Sequence, residues 1–439
     1  MKIALPLSAA LLLVACSAQK PATRTAADAE KDVDKIPAKT RLVMDPIKLQ
    51  AHTDGPEPRV EVLEAEPLFD RGSRSLSARR YDEALADYAK LLKHFPDSRF
   101  VSPALYNAGL CHENLKQFDK AADMYRKLVK RFGDQKEAID ASFRLGGCYA
   151  ELRNWPASAQ AFAWLLERSD LSISDRVEAM ARKGLAHFRL GDQRMCRSTL
   201  MAAVRYHKSV ETVERLDSDF FLGMIYYYLG AMPHVDFRNL KLDANTAMAQ
   251  TLDDKARLLL LSQAKYIDTI KVKNPYWATA AGFQIGSLYR EFYTVLMTSV
   301  PDFTRKAKEN AAKASIPVNE AQKLLVQVYM EEVHKAVKPL LTKAIRVFEK
   351  NIVIAQRVGI DSDWVGKSRH QVDELKHLIN LPPGEAVKLV GSGKGVPEDQ
   401  PATPASEPQP HPTDLDRAPA RPGDTPPREQ GDDPGRVIL

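Results

Sequence analysis

The sequence is poor in the signatures that mark most enzymes. Only four cysteines occur in 439 residues (Cys16, Cys111, Cys148 and Cys196), and no C-x-x-C pair is among them. That spacing excludes a zinc ribbon and a redox dithiol. There is no G-x-S-x-G and no glycine loop that could cradle phosphate. The stretch "HENLK" at His112 has Lys116 where H-E-x-x-H needs its second histidine, and the ten histidines form no ligand-spaced cluster. No catalytic residue, metal ligand or cofactor site is therefore expected. The net charge of +6 is too small for a nucleic-acid binder of this size. Runs with the two-residue period of a strand are lacking, and aromatics are absent from residues 17–64 and 382–439.

One long apolar run is present, at the start. Lys2 precedes an apolar core over residues 3–15, which stops at Cys16. This is the build of a signal peptide, and its core is too short for the roughly 20 residues of a membrane-spanning helix. The run Leu13-Val14-Ala15-Cys16 resembles a bacterial lipobox. That resemblance implies cleavage before Cys16, a diacylglycerol on its thiol and an acyl chain (palmitate or similar) on the freed amine. Ser17 stands where the inner-membrane retention signal has aspartate, which implies the outer membrane, with the body facing the periplasm. Residues 16–65, rich in Pro, Ala, Asp and Lys, read as a flexible tether, and residues 381–439 as a disordered tail. Residues 382–439 alone hold 13 of the 28 prolines.

Between these ends the sequence repeats. "GSRSLSARRYDEALADYAKLL" from Gly72, "GLCHENLKQFDKAADMYRKLV" from Gly109 and "GCYAELRNWPASAQAFAWLLE" from Gly146 keep their glycines 37 residues apart. Tyr81, Phe118 and Trp155 keep the same spacing, and so do Tyr88, Tyr125 and Phe162. A fourth unit starts at Gly184, with Cys196 and Leu200 in register, and a fifth at Gly223. In each, a glycine lets two helices of a hairpin approach. A small residue (Ala84, Ala121, Ser158, Cys196) and then a ring or leucine pack back onto the first helix. One hairpin cannot bury its apolar face alone, so such units stack. The pattern resembles the tetratricopeptide (TPR) repeat, which implies an all-α, right-handed superhelical solenoid of helical hairpins.

The expected domains are a signal peptide over 1–15, the lipidated tether over 16–65, about four and a half repeats over 66–230, a divergent TPR-like region over 231–380, and the tail over 381–439. Within the divergent region, Pro233 is expected to follow the end of a helix. Separate helices over 318–337 and 338–357 are expected on either side of Pro339, with a capping helix from Asp363 to Ile379 that stops at "LPPG".

Three features invite a functional reading. Cys111 and Cys148 hold the same repeat position, but equivalent positions on stacked helices lie about 8–10 Å apart. A disulfide needs Cα atoms within about 7 Å, so they read as core thiols. Arg126, Lys127, Lys130 and Arg131 lie on a second helix and read as a solvated convex face. The resemblance places the concave groove along the first helices, where Phe69, Tyr106, Phe143, Phe188, Phe220, Tyr227 and Phe283 fall on inner positions. Rings in a concavity anchor partner segments; packing of these rings on their own neighbours is the alternative.

Residues 66–380 resemble the TPR lipoproteins of the bacterial envelope. "NPYWATAAGFQIGSLYREFY" and "KPLLTKAIRVFEKNIVIAQRVGIDSDW" are similar to the gliding-motility members of deltaproteobacteria (GltE-like). This implies a non-enzymatic scaffold in a hetero-complex, docking envelope proteins without nucleic acid and held on the membrane by lipid. Two alternatives stay open. One is an outer-membrane biogenesis or peptidoglycan-coordinating factor (BamD-like or CpoB-like). The other is an enzyme or ligand carrier with its site in 231–318.

Overall fold

A computed structural model describes residues 47–52, 59–213, 215–242 and 248–391. Cys16 with its lipobox, most of the expected tether, and the tail beyond 391 lie outside the described residues. The chain divides into two compact units, 1–64 and 65–439.

The first unit corrects the expectation of a strandless tether. Strand β1 (Lys48–His52) pairs antiparallel with β2 (Arg59–Leu63), Leu49 opposite Val62 and Ala51 opposite Val60. Alternation along "KLQAH" and "RVEVL" puts these four apolar side chains on one face, and two β-branched valines suit the pleat. Five-residue runs flanking a proline-rich stretch give little periodic signal, which is why they pass unnoticed in the sequence.

The second unit holds 15 α-helices among its described residues and is a solenoid of helical hairpins. The first four hairpins are α1 (Ala65–Ser77) with α2 (Tyr81–His94), α3 (Val101–Asn114) with α4 (Phe118–Phe132), α5 (Glu137–Glu151) with α6 (Trp155–Glu167), and α7 (Ile173–Arg189) with α8 (Gln193–Val210). Each helix packs on the next. The glycine column does what the spacing predicts. A Cβ at Gly109 would stand 2.5 Å from the Tyr125 ring, and one at Gly184 would stand 2.2 Å from Leu200. In all four hairpins that neighbour lies 16 residues on. Tyr88, Tyr125, Phe162 and Leu200 are fully or almost fully buried there, each contributing about 1.5–3 kcal/mol of apolar burial.

The turn inside each hairpin also repeats. Arg79, Lys116, Arg153 and Gly191 take positive φ of 59°, 56°, 54° and 74°. The next amide reaches back five residues, Asn154 N–H to Tyr149 O at 2.8 Å and Asp192 N–H to His187 O at 3.0 Å. This left-handed closure ends the first helix. Asn154 and Asp192 then cap the second helix through their side chains.

The remaining helices are α9 (Phe220–Asn239), α10 (Met248–Lys271), α11 (Pro275–Thr298), α12 (Thr304–Ala314), α13 (Val318–Arg357), α14 (Asp363–Leu378) and α15 (Pro383–Gly391). Three expectations are corrected. Helix α9 runs through Pro233, and α13 runs unbroken through Pro339 for 40 residues. An interior proline costs about 3 kcal/mol. Burial of Met232, His234 and Phe237 around the first, and of His334, Leu341 and Ile345 around the second, offsets that cost. Pro339 itself points to solvent. Beyond "LPPG" the chain does not yet become tail: α15 packs on α11 and α13.

Helices α9, α10 and α11 are tied by a buried polar cluster. His234 contacts the Tyr266 hydroxyl and a Glu291 oxygen, each at 3.2 Å, and Arg238 donates to Glu291 at 2.8 and 2.5 Å. Lys255, 1% exposed, donates from Nζ to the Leu240 carbonyl at 2.6 Å and to the Phe237 carbonyl, a cation closing the C-terminus of α9.

Candidate partner-binding surface

Four of the seven rings read from the sequence as groove anchors are interior residues. Phe69 is 1% exposed, Tyr106 6%, Tyr227 0% and Phe283 1%. Phe69 packs on Phe100 at 5.1 Å between centroids, Tyr106 on Tyr125 at 5.8 Å, and Phe283 on Phe348 and Trp364, both at 5.5 Å. These four rings hold repeats together and offer no face to a partner. The inner positions of neighbouring first helices lie close enough that a large ring there fills the seam between units.

Phe143, Phe188 and Phe220 remain half-buried. Phe143 stands by itself in the third hairpin, against Phe162 at 6.2 Å. The other two join one aromatic cluster where α7, α9 and α11 meet. Buried Trp277 is its centre, with Tyr227 at 5.0 Å, Tyr276 at 5.0 Å, Phe220 at 5.4 Å and Tyr228 at 6.2 Å. Phe188 joins through Tyr228 at 5.0 Å, and Phe221 stands edge-on to Phe220 at 5.3 Å. Phe188, Phe220, Phe221 and Tyr276 each keep part of their surface in solvent.

Arginines accompany these rings, and the sequence reading missed them. Arg182 lies over the Phe221 ring at 5.2 Å while its Nε is 2.8 Å from a Glu178 oxygen. One unit earlier, at the same repeat position, Arg144 donates to the Tyr106 hydroxyl at 3.0 Å and to Glu113 at 2.9 Å. Burial works against the Arg144 charge, yet Tyr106, Tyr125 and Glu113 raise its pKa well above the ordinary value. The guanidinium stays charged, so this first-helix face sets arginine–glutamate ion pairs beside aromatic edges. Phe221, Tyr276 and Trp277 were missed too. The residue that meets Gly223 is Trp277, 54 residues on rather than 16. The "YW" that opens α11 is the only local hint of it.

The other features have simpler places. Arg126 and Lys127 both pair with Asp123, and Arg131 pairs with Asp97, on an exposed face. Cys111, Cys148 and Cys196 are free and buried. Burial pushes the Cys111 and Cys196 thiols up to about 12, and burial together with Glu113 raises Cys148 further. Among the described residues no group of His, Cys, Asp or Glu could hold a metal ion, and no helix is long and apolar enough to cross a membrane.

Residues 69–137 and 106–172 match the family model of the tetratricopeptide repeat. The chain thus carries TPR repeats, and repeats of this fold generally bind partner proteins. No curated protein matches the chain. Among solved structures it is similar to a MamA protein (RS-1 ArsTM double mutant) at 15% identity and TM-score 0.30, over 46% of this chain and 96% of that one. A TPR repeats protein from Bacteroides fragilis is similar at 13% identity and TM-score 0.27, over 63% of this chain and 98% of that one. Yeast Tom70 is similar at 12% identity and TM-score 0.22, over 75% and 84%. At these scores the likeness carries no functional weight.

Proposed function

We propose that this chain is a non-enzymatic docking scaffold, which holds a partner protein on the aromatic cluster where α7, α9 and α11 meet. The observation that carries this reading is the set of half-buried rings, Phe188, Phe220, Phe221 and Tyr276, beside Arg182. Aromatic and arginine side chains set into a packed surface are the residues that dominate binding energy at protein interfaces. Phe143 and Arg144, one repeat away, extend the same face.

The setting of the scaffold is the bacterial outer membrane. The run Leu13-Val14-Ala15-Cys16 supports a lipid anchor on Cys16, with the body in the periplasm. The likeness of residues 274–293 and 338–364 to gliding-motility lipoproteins supports a place in a trans-envelope machine of that kind. Two experiments test this. Cys16→Ala protein should no longer float with outer membranes; persistence on the membrane contradicts the anchor. Photo-cross-linking in cells from Phe220 should capture motility or adhesion proteins. Capture of barrel-assembly or cell-wall enzymes would replace the motility assignment while leaving the scaffold in place.

A further inference from the structure

A second apolar surface lies far along the chain from the aromatic cluster. Helix α12 packs on the first turns of α13 through Ala307, Ala311 and Ala321, small residues that bring the two helices close. Between them runs a groove lined by Lys313, Ile316, Leu324, Leu325 and Val328, enclosing about 420 Å³. Leu324 is 51% exposed and Val328 59%, one turn apart on the same face. An exposed apolar stripe rimmed by charge marks an interaction surface.

The charges beside the groove divide by sign between its two walls. At about 3.6 residues per turn, Lys306 and Lys313 fall on the groove side of α12 together with Asn310. Arg305, Lys308 and Glu309 fall on its other side, where Arg305 pairs with Glu309. On α13, Glu320 stands one turn before Leu324, and Glu331 and Glu332 one turn after Val328, with Lys335 the next charge along. Lys323 lies round the helix from them. Among the described residues, Lys306, Lys313, Glu320, Glu331 and Glu332 have no oppositely charged side chain within salt-bridge distance; Glu331 accepts from Gln327 at 3.0 Å. One wall is cationic and the other, three acids against Lys335, is anionic.

A face that carries both halves of a complement fits a second copy of itself. Ser315, at φ 54°, ends α12, and residues 315–317 turn the chain back, so α13 runs antiparallel beside α12. Lys313 is then level with the Glu320 turn, and Lys306 lies between the levels of Leu324 and Val328, a lysine's reach from Glu331. A twofold axis along the groove keeps these levels and exchanges the walls, laying α12 of one copy on α13 of the other. An axis across the groove would instead stack α12 on α12 and set lysine against lysine. Two helices of this length offer each copy a face of roughly 300–400 Å², the size of a weak, reversible contact.

We infer that the α12–α13 face joins two copies of this chain. Leu324 and Val328 of both copies form the apolar centre. Lys313 of each copy meets Glu320 of the other, and Lys306 meets Glu331 and Glu332. This inference is independent of the partner-docking reading, since it concerns a different surface and a second copy of the same chain.

The test uses the full chain in cells with Val328→p-benzoylphenylalanine, irradiated and digested, with cross-linked peptides mapped by mass spectrometry. The expected result is a product of twice the monomer mass, linked from position 328 to residues 304–314 of a second copy. Lys306→Glu with Lys313→Glu should lower its yield about tenfold by setting like charges together. Glu320→Lys with Glu331→Lys and Glu332→Lys should do the same; all five side chains are exposed. Co-expressed under different tags, the two reversed forms should restore the yield, now between tags, because each reversed wall meets its complement on the other copy. Restoration separates contact from misfolding, since two damaged copies do not repair each other. Absence of a dimer-mass product, links only to another protein, a yield insensitive to either reversal, no restoration on co-expression, or an equal dimer yield from Leu260→p-benzoylphenylalanine on α10 would each overturn the inference.

Discussion

Gly146 and Gly147 are neighbours on α5 and make opposite demands. A Cβ at 146 would stand 2.5 Å from the Phe162 ring, whereas one at 147 would meet nothing within 4 Å. Gly146→Ala should destabilise the protein by about 1–3 kcal/mol through overpacking. Gly147→Ala should stabilise it by about 0.5–1 kcal/mol, the ordinary gain of alanine over glycine in a helix. Chemical denaturation of the two variants checks both signs. The buried thiols give a second residue-scale expectation. With Cys111 and Cys196 pushed up to about 12, these two buried thiols should react with maleimide at neutral pH only as fast as the body unfolds, read by peptide mapping. Glu291 gives a third. Burial alone would raise its pKa, but His234 and Arg238 hold it at about 2. Its folded value lies below the unfolded carboxylate's, about 4.3. The cluster therefore contributes stability above that pH and loses it as pH falls towards 2. Glu291→Gln should cost about 3–5 kcal/mol at neutral pH by stranding Arg238. It should also flatten the loss of stability between those two values, read from denaturant midpoints across pH.

At the scale of the element, the first four hairpins were legible because each packs on residues near in sequence. Glycine, small residue and ring sit at fixed offsets, so their periodicity survives in one dimension. What did not show was geometry that residue type fails to announce. Of the four left-handed turn positions, only Gly191 has a residue that suggests it; Arg79, Lys116 and Arg153 do not. A non-glycine residue there carries strain of about 1–2 kcal/mol, so Arg153→Gly should raise the denaturation midpoint, not lower it. Past residue 220 the offsets lengthen, from Gly223 to Trp277 and from Gly286 to Phe348, and no fixed spacing links them. The continuous α9 and α13 were hidden for a related reason. Local propensity stops a helix near proline, while long-range burial carries it through. The site was half legible for the same cause. Phe188 and Phe220 are positions in a repeat, but the cluster that exposes their edges is built on Trp277 and Tyr276 from a later helix.

At the scale of the whole molecule, repeats that touch mainly their sequence neighbours give a body whose stability is a sum over units and their interfaces. On the scaffold reading proposed above, the docking surface is the set of rings left half-buried after the units have packed. The most direct test is quantitative co-purification of the partner captured from Phe220. Wild type is compared with a Phe143→Ala, Phe188→Ala, Phe220→Ala variant and with a Lys127→Glu, Lys130→Glu variant on the exposed face of α4, both shown by circular dichroism to be folded. Loss of the partner by the aromatic variant alone, about tenfold or more, is the predicted result; retention by the aromatic variant with loss by the lysine one would contradict the account.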